Sequence, residues 1–166
     1  MKKLLLKSFG LVVATLILSA PVAGYDREAA EGYAEMFKPV AGAKAGKNLH
    51  LMKVDKFVEA VRKDAKITTV DIRTPGETRF FTGNLPGHRL IPLAELFQHE
   101  NLETLPTEGK IVLICKSGTR ASAAAAALRE VGFENTYVLK GGLKALAGYL
   151  GPKEANAPMG PKAASR

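Results

Sequence analysis

The sequence predicts an α/β fold with a small, mostly parallel β-sheet that is covered by helices on both faces. Three short runs of β-branched and apolar residues, at 67–72, 111–114 and 136–139, are typical of strands buried on both faces. Segments of helical composition separate these runs, and alternating strands and helices indicate a parallel sheet. The length of 166 residues and the hydrophobic content of 46% suit one domain with appendages.

Residues 1–24 are expected to be a signal peptide. Residues 1–7 contain three lysines and no acid, residues 8–18 are almost continuously apolar, and residues 19–24 are small ones that a signal peptidase could cleave. The apolar run is short for a hydrocarbon layer of ~30 Å, which leaves an uncleaved membrane anchor as the alternative. We therefore expect an exported protein, located in a bacterial periplasm and not stably bound to a membrane after cleavage.

Charge and cysteine content narrow the function classes. Three of the +8 formal charges lie in the predicted signal, which leaves +5 on the rest of the chain. Tryptophan is absent and no basic stripe alternates with aromatic residues, so nucleic-acid binding is not expected. Exported proteins usually contain even numbers of cysteines in disulfides, whereas this chain has one. The thiol is therefore either buried and inert or retained for chemistry.

Residues 25–48 are expected to form an N-terminal helix and a linker. Residues 25–37 have helical composition, and Asp26 and Glu28 lie where a helix N-terminus favours acids. Residues 39–48 are rich in Gly, Ala and Lys, which is typical of a linker.

The compact domain is expected over residues 49–150, followed by a flexible tail at 151–166 that is rich in Pro, Gly and Ala. Its first helix is predicted at 55–65, with Asp55 as the N-cap. The remaining predicted elements are a short apolar piece at 89–92, a helical turn at 93–99, a helix at 121–131, and a final helix at 143–150 after the turn Gly141-Gly142.

The loop that follows the strand at 111–114 contains the candidate site. Cys115 comes directly after this buried strand, and ligands of parallel α/β sheets collect where strands end and helices begin. Successive backbone N–H groups, the N-terminus of the next helix, and the charges of Lys116 and Arg120 would all attract an anion. A thiol in this environment is expected to be largely ionised. The candidate nucleophile is Cys115, and the candidate binding loop comprises Lys116, Ser117, Gly118, Thr119 and Arg120.

The alternative is a core cysteine at a strand end, because cysteine is a small apolar residue. A buried, inert cysteine does not require the glycine and the two cations of this loop. The flanking residues therefore favour a chemical role.

Four segments, in the right order, resemble the rhodanese family. The loop CKSGTRAS is similar to the Cys-Arg-Ser-Gly-x-Arg-Ser of single-domain members, with Lys116 at the second position and Ser122 displaced by one residue. The likeness extends over residues 49–150. The other three segments are VDIRTPGE at 70–77, GNLPGH at 83–88 and VLKGGL at 138–143. The chain departs from the family pattern at Asn84, His88 and Leu146.

The resemblance implies a sulfurtransferase. Cys115 would carry sulfane sulfur as a persulfide, taken from thiosulfate or a related small sulfur oxyanion. The acceptor would be cyanide, a thiol or a sulfur-accepting protein, and no cofactor is implied. Lys116 and Arg120 would attract the anionic donor. Asp71 and Arg73 are expected to support the site through an ion pair, with Glu77 or another neighbour, that braces the adjacent loop.

Two other functions remain as alternatives. One is a non-catalytic or sulfur-carrier rhodanese module that docks a partner protein. The other is a cysteine phosphatase or arsenate reductase, which we disfavour because only four residues separate Cys115 from Arg120. No metal site is expected, since His50, His88 and His99 show no ligand spacing. Of the three histidines, His88 is expected nearest to the pocket mouth.

Overall fold

Five short runs of mainly apolar and β-branched residues form the strands of one sheet. The computed structural model describes residues 24–158 of the chain. The strands are β1 (Leu51–Met52), β2 (Ile67–Asp71), β3 (Arg89–Leu90), β4 (Lys110–Ile114) and β5 (Thr136–Leu139). They are arranged in the order β1-β5-β4-β2-β3, and every neighbouring pair is parallel. The predicted parallel α/β class is confirmed.

Helices alternate with these strands. They are α1 (Arg27–Phe37), α2 (Ala45–Asn48), α3 (Val54–Arg62), α4 (Pro75–Thr78), α5 (His99–Leu102), α6 (Thr119–Glu130), α7 (Gly142–Tyr149) and α8 (Pro152–Ala155). A short 3-10 turn, Gly42–Lys44, precedes α2. No helix within residues 24–158 combines the length and the apolar character that crossing a membrane requires.

The central strand β4 divides the core into two layers because its side chains alternate between the faces of the sheet. Ile111 and Leu113 pack with Leu128 of α6 on one face. Val112 and Ile114 belong to the layer formed with α3 and α7 on the other face. Both faces of the sheet are therefore covered by helices, as the sequence predicted. At the end of β4, Ile114 lies beside Asp71 of β2.

Several predicted boundaries and elements were wrong. The predicted linker at 39–48 contains α2, and the two-residue strand β1 was not predicted. Asp55 lies in the first turn of α3, while Lys53 occupies the N-cap without a side-chain capping bond. Helix α6 begins at Thr119, which is two residues earlier than predicted.

The C-terminal segment is partly ordered. Residues 152–155 form α8, and Arg62 of α3 contacts both the backbone carbonyl and the carboxylate of Glu154. This part of the predicted tail at 151–166 is therefore helical and contacts α3. Residues 159–166, and residues 1–23 of the predicted signal peptide, lie outside the described residues.

Candidate active site

Cys115 lies at the carboxyl edge of the sheet, directly after β4 and in front of α6. The residue is only 1% exposed, and its Sγ accepts a hydrogen bond of 3.1 Å from the N–H of Gly118. The loop thus encloses the sulfur and directs a main-chain donor at it.

Gly118 makes this geometry possible. Its φ of 93° lies in the left-handed region, which residues with a Cβ atom rarely adopt. A Cβ atom at this position would also lie 3.2 Å from the nitrogen of Gly141. Ser122 holds the same turn from the first turn of α6, since its hydroxyl donates to the carbonyl of Gly118 at 3.0 Å.

The start of α7 supports the cysteine loop from the side. The N–H of Leu143 donates to the carbonyl of Cys115 at 2.9 Å, and the N–H of Lys144 donates to that of Lys116 at 3.1 Å. Gly142 permits this approach, because a Cβ atom there would collide with the carbonyl oxygen of Cys115. From the sequence, Gly141-Gly142 was predicted only as a turn. Two consecutive glycines before a helix were a signal for such a close approach.

Arg120 forms a two-point ion pair with Glu77 of α4. Its Nη1 and Nη2 donate to the two carboxylate oxygens at 2.8 and 2.7 Å. Hydrogen bonds from Arg120 and from the backbone of Thr74 lower the pKa of Glu77 to about 2. The pKa of Arg120 is raised, first by these bonds to Glu77 and to a smaller extent by the neighbouring Cys115 sulfur. Arg120 is therefore neutralised by Glu77 and does not add an unpaired positive charge to the cysteine loop, contrary to the sequence-based expectation.

Asp71 and Arg73 form a buried ion pair with each other. Nη2 of Arg73 lies 2.7 Å from Oδ2 of Asp71, and its Nε contacts both carboxylate oxygens at 3.0 Å. Arg73 also donates to the carbonyls of Glu77 and Phe81, at 3.4 and 2.8 Å. The pair thus fixes the segment that follows β2. This arrangement matches the expected bracing pair, with Asp71 rather than the Glu77 carboxylate as the partner of Arg73.

A cleft of about 330 Å³ opens beside the cysteine loop. Its acidic residue, Glu77, is neutralised by Arg120, while Lys116 and Lys144 are exposed. Within residues 24–158, neither lysine has a carboxylate within 4.0 Å, so the cleft favours anions. The lining residues are Arg73, Glu77, Phe81, Lys116, Leu143, Lys144 and Ala147.

The other predicted loop residues lie at the surface. Ser117 and Thr119 are exposed, with their hydroxyl oxygens 3.3 Å apart. His88 is not among the cleft residues. It follows Gly87, whose backbone lies against the N-terminal end of β2, whereas Cys115 follows the carboxyl end of β4. The expectation that His88 lies near the pocket mouth is therefore wrong. Sequence reasoning also missed Phe81, Leu143 and Lys144, which only the fold brings to the cleft.

Comparison with known proteins identifies the family. The model of the rhodanese-like domain matches residues 54–148, more than half of the chain. The chain therefore belongs to the rhodanese-like domain family, which is a sulfurtransferase superfamily. The match includes the cysteine loop, the Asp71–Arg73 pair and the Gly141-Gly142 turn.

Individual relatives agree with this assignment. The chain is 34% identical over 87 residues to the probable adenylyltransferase/sulfurtransferase MoeZ of Mycobacterium tuberculosis, covering 52% of this chain but only 22% of MoeZ. It is 36% identical over 89 residues to the uncharacterized protein YqhL of Bacillus subtilis, covering 54% of this chain and 68% of YqhL. A rhodanese-related protein from Thermoplasma volcanium has the same fold, with a TM-score of 0.52, 24% identity, and coverage of 62% of this chain and 95% of that one.

The close approach of α7 to the cysteine loop predicts that Gly142→Ala destabilises the protein. The added Cβ atom meets the Cys115 carbonyl and sits at a φ of 60°, so we expect a loss of about 2 kcal/mol or more in the free energy of unfolding. Urea denaturation measures this loss. The control is Gly148→Ala in the same helix, where a Cβ atom meets no described atom within 4 Å outside its chain neighbours and the backbone of its own helix. Equal stability of the two variants would contradict the structural role of Gly142.

The ion pair of Glu77 predicts a defined pH dependence of stability. The pKa of Glu77 falls from its ordinary value of 4.5 to about 2 in the folded protein. The carboxylate therefore stabilises the fold above pH 4.5, and this stabilisation is lost as the pH falls towards 2. Thermal unfolding should show wild type more stable than Glu77→Gln near neutral pH, with a gap that narrows in acid. The control is Glu100→Gln, an exposed glutamate that does not line the cleft. A gap that stays constant with pH would contradict the ion pair's contribution.

Proposed function

We propose that this protein is a sulfurtransferase that moves sulfane sulfur from thiosulfate, or a related donor, to a thiophilic acceptor through a persulfide on Cys115. One observation carries the proposal. The single thiol of the chain accepts a main-chain hydrogen bond within a loop whose next residue, Lys116, lines a cleft. Lys116 and Lys144 are exposed in this cleft, and its glutamate, Glu77, is paired with Arg120. The family assignment and the name of MoeZ support sulfur transfer as the class of reaction.

The first step loads the sulfur. The Cys115 thiolate attacks the outer sulfur of thiosulfate and forms a new S–S bond. The S–S bond of thiosulfate breaks, and sulfite leaves with its electron pair. Lys116 and Lys144 favour entry of the dianion, since they are the exposed cations of the cleft. The Gly118 N–H, which already donates to Sγ, supports the negative charge on the sulfur.

The second step unloads the sulfur. A nucleophile such as cyanide attacks the outer sulfur of the persulfide, and the S–S bond to Cys115 breaks. The electron pair returns to Sγ, which restores the thiolate, and thiocyanate is the product. Neither step consumes an external oxidant or reductant. The composition of residues 1–24 further supports the proposal that the reaction takes place in the periplasm.

Mass spectrometry of the intact protein tests the persulfide. After incubation with thiosulfate and without reductant, the mass should increase by one sulfur atom, and added cyanide should remove it with release of thiocyanate. Cys115→Ser should abolish both the adduct and thiocyanate formation. Absence of any adduct would contradict the proposal. Consumption of p-nitrophenyl phosphate instead would favour a phosphatase, and an adduct that persists in cyanide would favour a carrier module.

The charge of Lys116 should act mainly on donor binding. Removing an exposed cation weakens attraction of thiosulfate without touching the reacting sulfur, so Lys116→Ala should raise the KM for thiosulfate about fivefold with kcat little changed. Steady-state thiocyanate formation measures both constants. Lys66→Ala is the matched control, since Lys66 immediately precedes β2 at the opposite edge of the sheet. Equal KM values for the two variants would remove Lys116 from donor binding.

A further inference from the structure

Two adjacent phenylalanines are exposed, one lining the cleft and the other next to it in the chain. Phe80 is 88% exposed and Phe81 is 54% exposed, and Phe81 lines the cleft. Isolated exposed apolar side chains are common on protein surfaces. A pair of neighbouring aromatic rings beside a buried reactive group is a different feature, because aromatic side chains supply much of the binding energy at protein interfaces.

The backbone of this aromatic pair is fixed to the site. Arg73 donates to the carbonyl of Phe81 at 2.8 Å and is itself held by the buried carboxylate of Asp71. Four residues earlier, Glu77 is tied to Arg120 of the cysteine loop. The backbone that carries the rings is therefore held at a set position relative to the cysteine loop. Such preorganisation reduces the entropy lost when a partner binds.

The charges around the rings are positive. The guanidinium of Arg79 lies over the ring of Phe80 at 5.9 Å, and Lys116 and Lys144 flank the cleft. The nearby carboxylates of Asp71 and Glu77 form ion pairs with Arg73 and Arg120. In the part of the chain that the structure describes, Arg79, Lys116 and Lys144 have no salt bridge. An acidic partner with an apolar side chain complements this surface.

The burial of Cys115 restricts the shape of such a partner. With 1% of the residue exposed, the sulfur cannot be reached by a thiol on a flat protein surface. Cyanide and thiosulfate are small enough to enter the cleft beside the cysteine loop. A protein thiol must instead be carried on a protruding loop or a chain terminus.

We propose, on the basis of the proposed function, that the physiological acceptor is a cysteine on a protruding, acidic polypeptide segment, with an apolar neighbour that packs on Phe80 and Phe81. The acceptor thiol first loses its proton to solvent. Its thiolate then attacks the outer sulfur of the Cys115 persulfide, and the S–S bond to Cys115 breaks. The electron pair returns to Sγ, and the acceptor leaves as a persulfide.

Synthetic peptides test this assignment. The full chain, loaded with thiosulfate, is mixed with three peptides of equal length that each contain one cysteine. The first is acidic with leucine beside the cysteine, the second is basic with the same leucine, and the third is acidic with glycine in place of leucine. We expect the first peptide to react with a kcat/KM about tenfold above either of the others. It alone combines acidic residues, which the exposed cations attract, with an apolar side chain that packs on the phenylalanine rings. Added salt should reduce its advantage over the basic peptide.

A protein variant isolates the aromatic contribution. Phe80→Ala should lower the kcat/KM for the acidic leucine peptide about tenfold while transfer to cyanide stays unchanged, since Phe80 does not line the cleft. Val131→Ala is the control, because this exposed apolar residue follows α6 at the end distant from Cys115. Equal rates for the three peptides, or an unaffected Phe80→Ala variant, would overturn the inference while transfer to cyanide still supports the proposed function. Failure to form any persulfide would overturn both.

Discussion

Main-chain hydrogen bonds from Leu143 and Lys144 to the carbonyls of Cys115 and Lys116 join the first turn of α7 to the cysteine loop. These bonds fix the cysteine loop against the start of α7, which lies on the opposite side of the sheet from α6. They require the two backbones to approach closely, and Gly142 is the residue that permits this approach. The direction of the Gly118 N–H towards the sulfur depends on the same contact, because Gly118 packs directly against Gly141.

Two ion pairs extend this arrangement to a third segment. Arg73 with Asp71, and Arg120 with Glu77, connect the end of β2, the short helix α4 and the cysteine loop. Each arginine is neutralised by one carboxylate. The two pairs therefore hold these segments in place and add no net charge to the cleft. The sign of the potential in the cleft is then set by exposed lysines. Structural and electrostatic roles are thus divided between arginines and lysines, as expected from the planar, two-point geometry of a guanidinium and the mobile point charge of an ammonium group.

The sequence predicted features that depend on local pattern. Buried strands such as β4 and β5 show as short apolar runs, and the position of Cys115 after such a strand located the site. The two-residue strand β1 is too short to show any period, and α2 lies in a segment whose glycines favour a loop. The pairing of Arg120 with Glu77 joins residues 43 positions apart, so it follows from the order of strands in the sheet rather than from any local signal.

The burial of Cys115, the single cysteine of the sequence, prevents disulfide formation between two folded copies of the protein. A solvent-facing thiol of this kind would cross-link two copies of the protein under oxidising conditions, since no second cysteine is present to close an internal bond. A disulfide requires its sulfur atoms to approach to ~2 Å. Two sulfurs that each lie beneath their own loop, with 1% of the residue exposed, cannot reach that separation while both chains stay folded. Folding itself therefore protects the protein from covalent dimerisation, without a resolving cysteine or an added reductant.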